Sequence, residues 1–289
     1  MIIRTYHIEF LTPCFCAGAE QTRAELRPAA IRGQLRWWFR CLGGSAAEER
    51  EIFGGVHGDS PAASTFTVRV RQQPAGGQVD WHKRIPQQGM EPRAYLLGFF
   101  CGRTGRLNPM GSLAPGSQAV VEVAFKRPPT QRLEQALRVF FSIGALGFRA
   151  TRAAGALTSD EHALTEAGWT ALANELRSVG FDVALKPTGF DDWVQLIRFA
   201  GDFLKNKLRG REGLGISAGR NGSKPNVLGS AKPRQASVLH LRPVRIDGCL
   251  RLAFIEAPHD RILGQPARRA HANRGAIVAL AKQRRLIGP

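Results

Sequence analysis

Residues 26–55, LRPAAIRGQLRWWFRCLGGSAAEEREIFGG, decide the fold, because they carry the clearest helical periodicity in the chain. Pro28 suits the first turn of a helix, where its missing N–H leaves no hydrogen bond unmade. From there Ile31, Leu35, Trp38 and Leu42 recur at spacings of four, three and four, an apolar stripe that has to face a core. Arg32, Arg36 and Arg40 form a second stripe roughly 100° to 180° round the helix from Ile31, with Gly33 and Trp37 just beyond it. A row of guanidiniums suits phosphate oxygens, a glycine admits another backbone, and a tryptophan offers a base a stacking surface. Arginine on the wet side of an amphipathic helix is equally ordinary, so the helix alone leaves both readings standing.

Upstream of this helix, Ile2 to Leu11 alternates as a strand, with Ile2, Tyr6, Ile8 and Phe10 of one parity and Arg4 interrupting that face. Thr12-Pro13 ends the strand, and a loop over residues 13–27 leads into the helix. Downstream, Glu48 to Glu51 reads as a polar turn, Gly54-Gly55 as a stop, and residues 64–72, STFTVRVRQ, as the next strand with Phe66, Val68 and Val70 on one face. Residues 72–92 turn to Gln, Gly, Pro and Lys around Trp81 and His82, an excursion suited to ordering on a partner. Ala94 to Cys101 and Gln118 to Lys126 read as strands joined by a glycine- and proline-rich connection that carries Arg103 and Arg106. Pro129 opens a second helix, with Leu133, Leu137, Phe140 and Gly144 on one face. The return after it, residues 144–157, holds Gly144, Gly147 and Gly155 with Arg149 and Arg152. Such a stretch can cradle an anion on backbone N–H groups or simply turn tightly.

This order of strand, helix, two strands, helix and return predicts an α+β protein whose first unit, residues 1–157, follows the ferredoxin-like (RRM-like) βαββαβ plan with long inserted loops. A second ferredoxin-like unit in tandem, residues 158–289, is expected to be more divergent and more basic. Its helices are predicted over Glu161 to Val179 and Phe190 to Leu208. A hairpin is predicted from Val238 to Ile246 and Cys249 to Glu256, turned at Asp247-Gly248. Residues 209–235 form a basic, glycine-rich loop. A terminal helix carries Arg268, Arg269, Arg274, Lys282, Arg284 and Arg285.

Of the 289 residues, 43% are hydrophobic, which is ordinary globular composition, yet 41 Lys and Arg face 23 Asp and Glu for a net charge of +18. A folded chain so basic points to a polyanionic partner, nucleic acid ahead of an acidic membrane. No signal-peptide core and no 18-residue uncharged apolar run is present, which predicts a soluble, cytoplasmic protein. Five scattered cysteines, with only Cys14 and Cys16 close together, form neither a disulfide framework nor a metal-ligand spacing. There is no P-loop and no dinucleotide motif, so neither a cofactor nor a metal is expected.

The residues resemble the RAMP superfamily of CRISPR-associated proteins, most closely the first RAMP subunits of type III-B (Cmr) effector modules. Thr12-Pro13, Leu26-Arg27-Pro28, then Gly33, Leu35-Arg36-Trp37-Trp38 and Arg40, and finally Glu51 with Ile52-Phe53-Gly54 carry the resemblance. Leu146-Gly147, Arg149 and Arg152 are similar to the family's Leu-Gly-x-Arg-x-x-Arg loop. Relatives continue Gly-x-Gly-Ser there, where this chain has Ala153-Ala154-Gly155-Ala156. Arg234 to Leu239 resembles the entry to a second hairpin, with Val238 in place of proline. What the resemblance implies is a ribonucleoprotein subunit that works beside sibling RAMP subunits on guide CRISPR RNA and target single-stranded RNA, away from membranes.

RAMP subunits that cut target RNA use, as the resemblance implies, an aspartate in the loop before the first helix; residues 13–27 hold Glu20 and Glu25 but no aspartate. A metal-free endoribonuclease processing CRISPR transcripts would need a general base, for which His57 beside Asp59 is best placed, but no partner histidine or lysine lies at close spacing. The expectation is therefore a non-catalytic RNA-binding subunit, with Arg32, Gly33, Arg36, Trp37, Arg40, Arg149 and Arg152 at the RNA and base pairing supplying sequence specificity.

Overall fold

A computed structural model describes the chain apart from residues 21, 56–60, 75–91, 98–110, 209–227, 230–235, 263–276, 284, 286 and 288–289. The elements run β1 (Ile2–Phe10), β2 (Cys14–Phe15), α1 (Pro28–Cys41), α2 (Ala46–Phe53), β3 (Phe66–Gln72), α3 (Pro92–Leu97), β4 (Ser112–Leu113), β5 (Gln118–Phe125) and α4 (Gln131–Ile143). They continue with β6 (Leu157–Ser159), α5 (Glu166–Ser178), β7 (Asp182–Leu185), α6 (Trp193–Asp202), β8 (Leu239–Ile246), β9 (Cys249–Glu256) and α7 (Ile277–Gln283). Two compact units result, the first drawn from Met1–Val79, Met110–Phe148 and Gly155–Ala163, the second from Asp80–Pro109, Arg149–Ala154 and Leu164–Pro289. The chain thus enters the second unit at residues 149–154 before returning to the first.

The first unit is an antiparallel four-stranded sheet in the order β3-β5-β1-β6, backed by α1 and α4. Pairing of Tyr6 with Val121 and Ile8 with Ala119 puts the alternating apolar residues of β1 and β5 on the helix side. Tyr6 stacks on Phe141 of α4 with ring centroids 3.6 Å apart. Arg4, on the same parity, stays on that face because Glu134 of α4 accepts from its guanidinium, which also lies 5.4 Å from the Phe125 ring. Thr130 caps α4 by accepting from Leu133 N. A separate two-stranded ladder, β2 with β4, lies at the loop that feeds α1.

The structure corrects two local expectations. Glu48 to Glu51 is not a polar turn but the body of α2, whose N-terminus is a capping box: Ser45 accepts from Glu48 N, and Glu48 accepts from Ser45 N at 2.8 Å. Residues 92–97, which take in the first four residues of the strand expected from Ala94 to Cys101, are the helix α3, which packs on α6. A β-carbon on Gly201 of α6 would lie 2.0 Å from Pro92 O, so the two backbones approach closely. A short apolar run does not separate a strand from a buried helical turn, and here tertiary packing decides.

The second unit holds the antiparallel sheet β7-β9-β8, extended by a parallel bridge between Arg152 and Leu241. Its hairpin turns where predicted, with Ile246 opposite Cys249 and positive φ at Asp247 and Gly248, as a two-residue turn demands. Helix α5 starts later than expected, after a 3₁₀ turn at Asp160–His162, and is capped by Thr165. Helix α6 is capped by Asp192 and runs on as a wider π turn over Phe203–Leu208. The C-terminal helix is described from Ile277. Trp81, His82, Arg103, Arg106, Arg268, Arg269, Arg274 and Arg284, and the basic loop apart from Leu228 and Gly229, lie outside the described residues.

Behind β8 sits a buried cationic group. Arg242, 2% exposed, donates to Ala150 O at 3.2 Å and to His240 Nδ1 at 3.1 Å, and burial pushes its guanidinium down to about 10. Burial first, then the charges of Arg242 and Arg152, holds His240 well below the usual imidazole range. The unfolded chain takes up this proton as pH falls through about 6.5, while the native chain resists it, so stability is full above that pH and is lost below it. The expected loss is up to about 1.4 kcal/mol per pH unit until the native group protonates. Denaturant unfolding at about pH 7.5 and about pH 5.5 measures it; His240→Gln should flatten the dependence, and an unchanged slope would place the proton elsewhere.

Candidate nucleic-acid interface

Helix α1 spans Pro28–Cys41 with Pro28 in its first turn, and Ile31, Leu35, Trp38 and, just past its end, Leu42 are buried to within 1%. The apolar stripe therefore faces the core of the first unit, and the arginine stripe faces α2. The end of α2 explains where the arginines go. The last carbonyls of a helix have no intrahelical donor. Ile52 O is met by Thr65 N at 2.9 Å and Ser64 Oγ at 3.1 Å, Phe53 O by the Arg32 guanidinium, and Gly54 O by Arg36 Nη2 at 3.0 Å. Cationic donors at a helix C-terminus also oppose its dipole. Gly54 has φ +69°, and a β-carbon there would lie 2.5 Å from Ala62 O, so this turn requires glycine.

Glu49, one turn earlier on α2, also binds Arg36 and Arg40. It pairs with Arg40, and its Oε1 lies 3.3 Å from Arg36 Nε. The Arg36 guanidinium lies 5.3 Å from the Phe53 ring. Arg32 is held below the usual arginine range by burial and by the neighbouring charge of Arg36, while Arg40 is raised by its hydrogen bond to Glu49. Among the described residues this stripe thus sets three guanidiniums against one carboxylate. An open cleft of about 640 Å³ lies alongside, lined by Ala29, Arg32, Gly33 and Arg36 of α1 and by Phe53, Gly54 and Ala62 across from them. The half-buried Trp37 sits edge-on to Trp38 with centroids 4.8 Å apart.

Arg149 and Arg152 belong to the second unit. Arg149 is exposed with φ +62°. Arg152 is 6% exposed and donates to Leu228 O at 2.8 Å and to Leu239 O at 3.5 Å, so its charge is directed inward. Much of the glycine-rich return is committed within the chain. Leu146 N donates to Gly155 O, Phe148 N to Phe15 O, Arg152 N to Arg149 O, Ala153 N to Leu241 O, Gly155 N to Pro13 O and Ala156 N to Thr12 Oγ1. Donors committed to the protein are not available to a phosphate.

Sequence reasoning missed Glu49 and the α2 carbonyls as partners of the arginines. The Ser45–Glu48 capping-box spacing is the available signal, since it marks a helix that must end near Phe53 and leave carbonyls in need of donors. The four described cysteines, Cys14, Cys16, Cys41 and Cys249, form no disulfide among the described residues. No cluster of three metal-ligating side chains and no helix long and apolar enough to cross a membrane occurs among the described residues. His57 and Asp59 lie outside them.

The curated proteins similar to this chain include two Cmr subunits of Pyrococcus furiosus. Cmr1-1 is 25% identical over 170 residues, 54% of this chain and 47% of that protein. Cmr1-2 is 33% identical over 64 residues, 19% of this chain and 34% of that protein. The chain thus spans less than half the length of the curated relatives it matches. Among solved structures, apo Cmr1 from Pyrococcus furiosus aligns with a TM-score of 0.59 at 17% identity, over 89% of this chain and 88% of that one. A chain of the type III-B Cmr-beta complex bound to cognate target RNA aligns with a TM-score of 0.50 at 10% identity, over 89% and 94%. At such identities these structures speak for the fold. The model of the RAMP superfamily matches residues 7–158, more than half of the sequence, and the chain belongs to that superfamily.

Proposed function

We propose that this chain is a non-catalytic RNA-binding subunit of a type III CRISPR effector ribonucleoprotein. In this reading it is built of two ferredoxin-like units in tandem and works in the cytoplasm beside sibling RAMP subunits, contacting guide RNA and helping to capture target RNA. Membership of the superfamily and the likeness to Cmr1 subunits support the assembly. The element order β1-α1-β3-β5-α4-β6 and the strand order of the first unit support the ferredoxin-like plan there. The observation that carries RNA binding is the arginine stripe of α1, which keeps more positive charge than its carboxylate partner neutralises and opens on a cleft of ligand size. The non-catalytic part rests on the sequence of residues 13–27, which lacks the aspartate of the cutting subunits.

Recognition of this kind is phosphate-led, so affinity for single-stranded RNA should fall steeply with salt. Arg36→Ala with Arg40→Ala is expected to weaken binding and to lower the slope of log K against log salt by about 0.7 for each phosphate that the variant no longer neutralises. Glu49→Gln, which removes the carboxylate that neutralises part of the charge of both arginines, should act in the opposite sense. Filter binding across graded salt measures all three proteins. Slopes unchanged in both variants would remove the stripe from the interface.

A further inference from the structure

Gly33 lies inside the 14-residue helix α1, a position where glycine is among the poorest helix formers. Nothing in the described chain calls for it. Its backbone is ordinary helix, and a β-carbon built on it meets nothing within 4 Å among the described residues beyond its own turn of helix. Gly54, across the cleft, is different, since its turn and its neighbours both exclude a side chain. The space that Gly33 leaves empty is the cleft itself, with Ala29 one helical turn before it and Arg32 and Arg36 on one flank of it. Nε of Arg32 is buried and makes no hydrogen bond among the described residues. Nε of Arg36 faces Glu49 without completing one. Buried donors left unmade are costly, so both guanidiniums keep unspent hydrogen-bonding capacity beside the cleft.

We propose that this cleft seats one phosphodiester group of single-stranded RNA directly against the backbone of α1 at Gly33, with the guanidiniums of Arg32 and Arg36 as its donors. The inference rests on the RNA-binding reading above and deepens it. A phosphodiester fits because it is small, anionic and flanked by a backbone that must come close, and because a guanidinium offers two N–H groups to phosphate oxygens even when a third is spent on a carbonyl. The backbone of a sibling protein subunit would need the same close approach but would bring no charge for the two arginines.

Gly33→Leu fills the cleft from a position where a β-carbon has room among the described residues, and Gly33→Ala is its smaller counterpart. Both should fold, with melting temperatures at or above that of the natural protein. Binding of a uridine 20-mer, followed by fluorescence anisotropy across graded salt, is expected to weaken roughly tenfold for Gly33→Leu and less for Gly33→Ala. The salt slope of Gly33→Leu should fall by about 0.7, the share of one phosphate on a single strand. If the natural protein fails to bind the oligonucleotide, the RNA-binding reading itself falls. If it binds and Gly33→Leu binds equally well with the same slope, only the seat at Gly33 is overturned. If Gly33→Leu keeps its RNA affinity but no longer co-purifies with sibling subunits, the cleft belongs to a protein partner and the proposal is again overturned.

Discussion

Trp38→Ala is expected to destabilise the first unit by about 3–5 kcal/mol, whereas Trp37→Ala, one residue earlier, should cost about 1 kcal/mol or less. Trp38 is fully buried, on the stripe of Ile31 and Leu35, so truncation leaves a cavity between α1 and the elements it covers, which close packing fills only in part. Trp37 points about 100° away and is half-buried, with its ring edge-on to Trp38. Truncating Trp37 removes that ring pair from a half-buried position, but it takes away the one aromatic surface beside the arginine stripe on this helix. Chemical unfolding should separate the two by a large shift in midpoint for Trp38→Ala alone. RNA binding should show the reverse order, with Trp37→Ala weakened roughly tenfold at constant salt slope, because stacking releases no counterions. Equal stability losses would mean that α1 is rotated about its axis in solution. An unaltered RNA affinity in Trp37→Ala would leave the stacking surface without a role.

That contrast shows what is legible in the sequence. A 3.6-residue period in Ile31, Leu35, Trp38 and Leu42 identifies the buried face of α1 because burial and periodicity are the same physical fact seen twice. Strands β1, β3 and β5 and the Asp247-Gly248 hairpin are legible for the same reason: alternation and turn chemistry are local. Helix α3 is not, since its type is fixed by packing against α6, far along the chain. Nor are the partners of Arg32 and Arg36. Their positions on the helix are plain, but whether a guanidinium meets a phosphate, a carboxylate or a helix end depends on what folds against it, and here the end of α2 and Glu49 arrive first. The net charge of +18 says that a polyanion is sought; it does not say which arginines are already engaged. Arg152 illustrates the difference, because the motif that marks it as a phosphate ligand does not reveal that Leu228 and Leu239 carbonyls enclose it.

Gly155→Ala should cost at least about 3 kcal/mol, with the loss confined to stability. The glycine-rich sequence suggests a phosphate-holding loop, yet the surroundings of Gly155 give it another task. Its φ is +63°, and a β-carbon would lie 1.9 Å from Leu146 O, a backbone atom that cannot swing aside as a side chain can. Both of its own backbone groups are committed, N–H to Pro13 O at 2.8 Å and carbonyl to Leu146 N at 2.9 Å, and the Ala145–Ala156 bridge closes the same crossing. Moving Leu146 to make room would disturb Gly147, where a β-carbon would already sit 2.5 Å from Phe15 O. The clash therefore has no local relief, and the loop must open or the ladder must break. Gly33 is the opposite case in the same unit: a glycine with room, whose replacement by alanine should stabilise its helix. Urea unfolding of the two alanine variants should move the midpoint in opposite directions. RNA binding by whatever fraction of Gly155→Ala remains folded should keep the salt slope of the natural protein, since the backbone donors of this crossing are used within the chain. A reduced slope in folded Gly155→Ala would return the loop to the RNA interface.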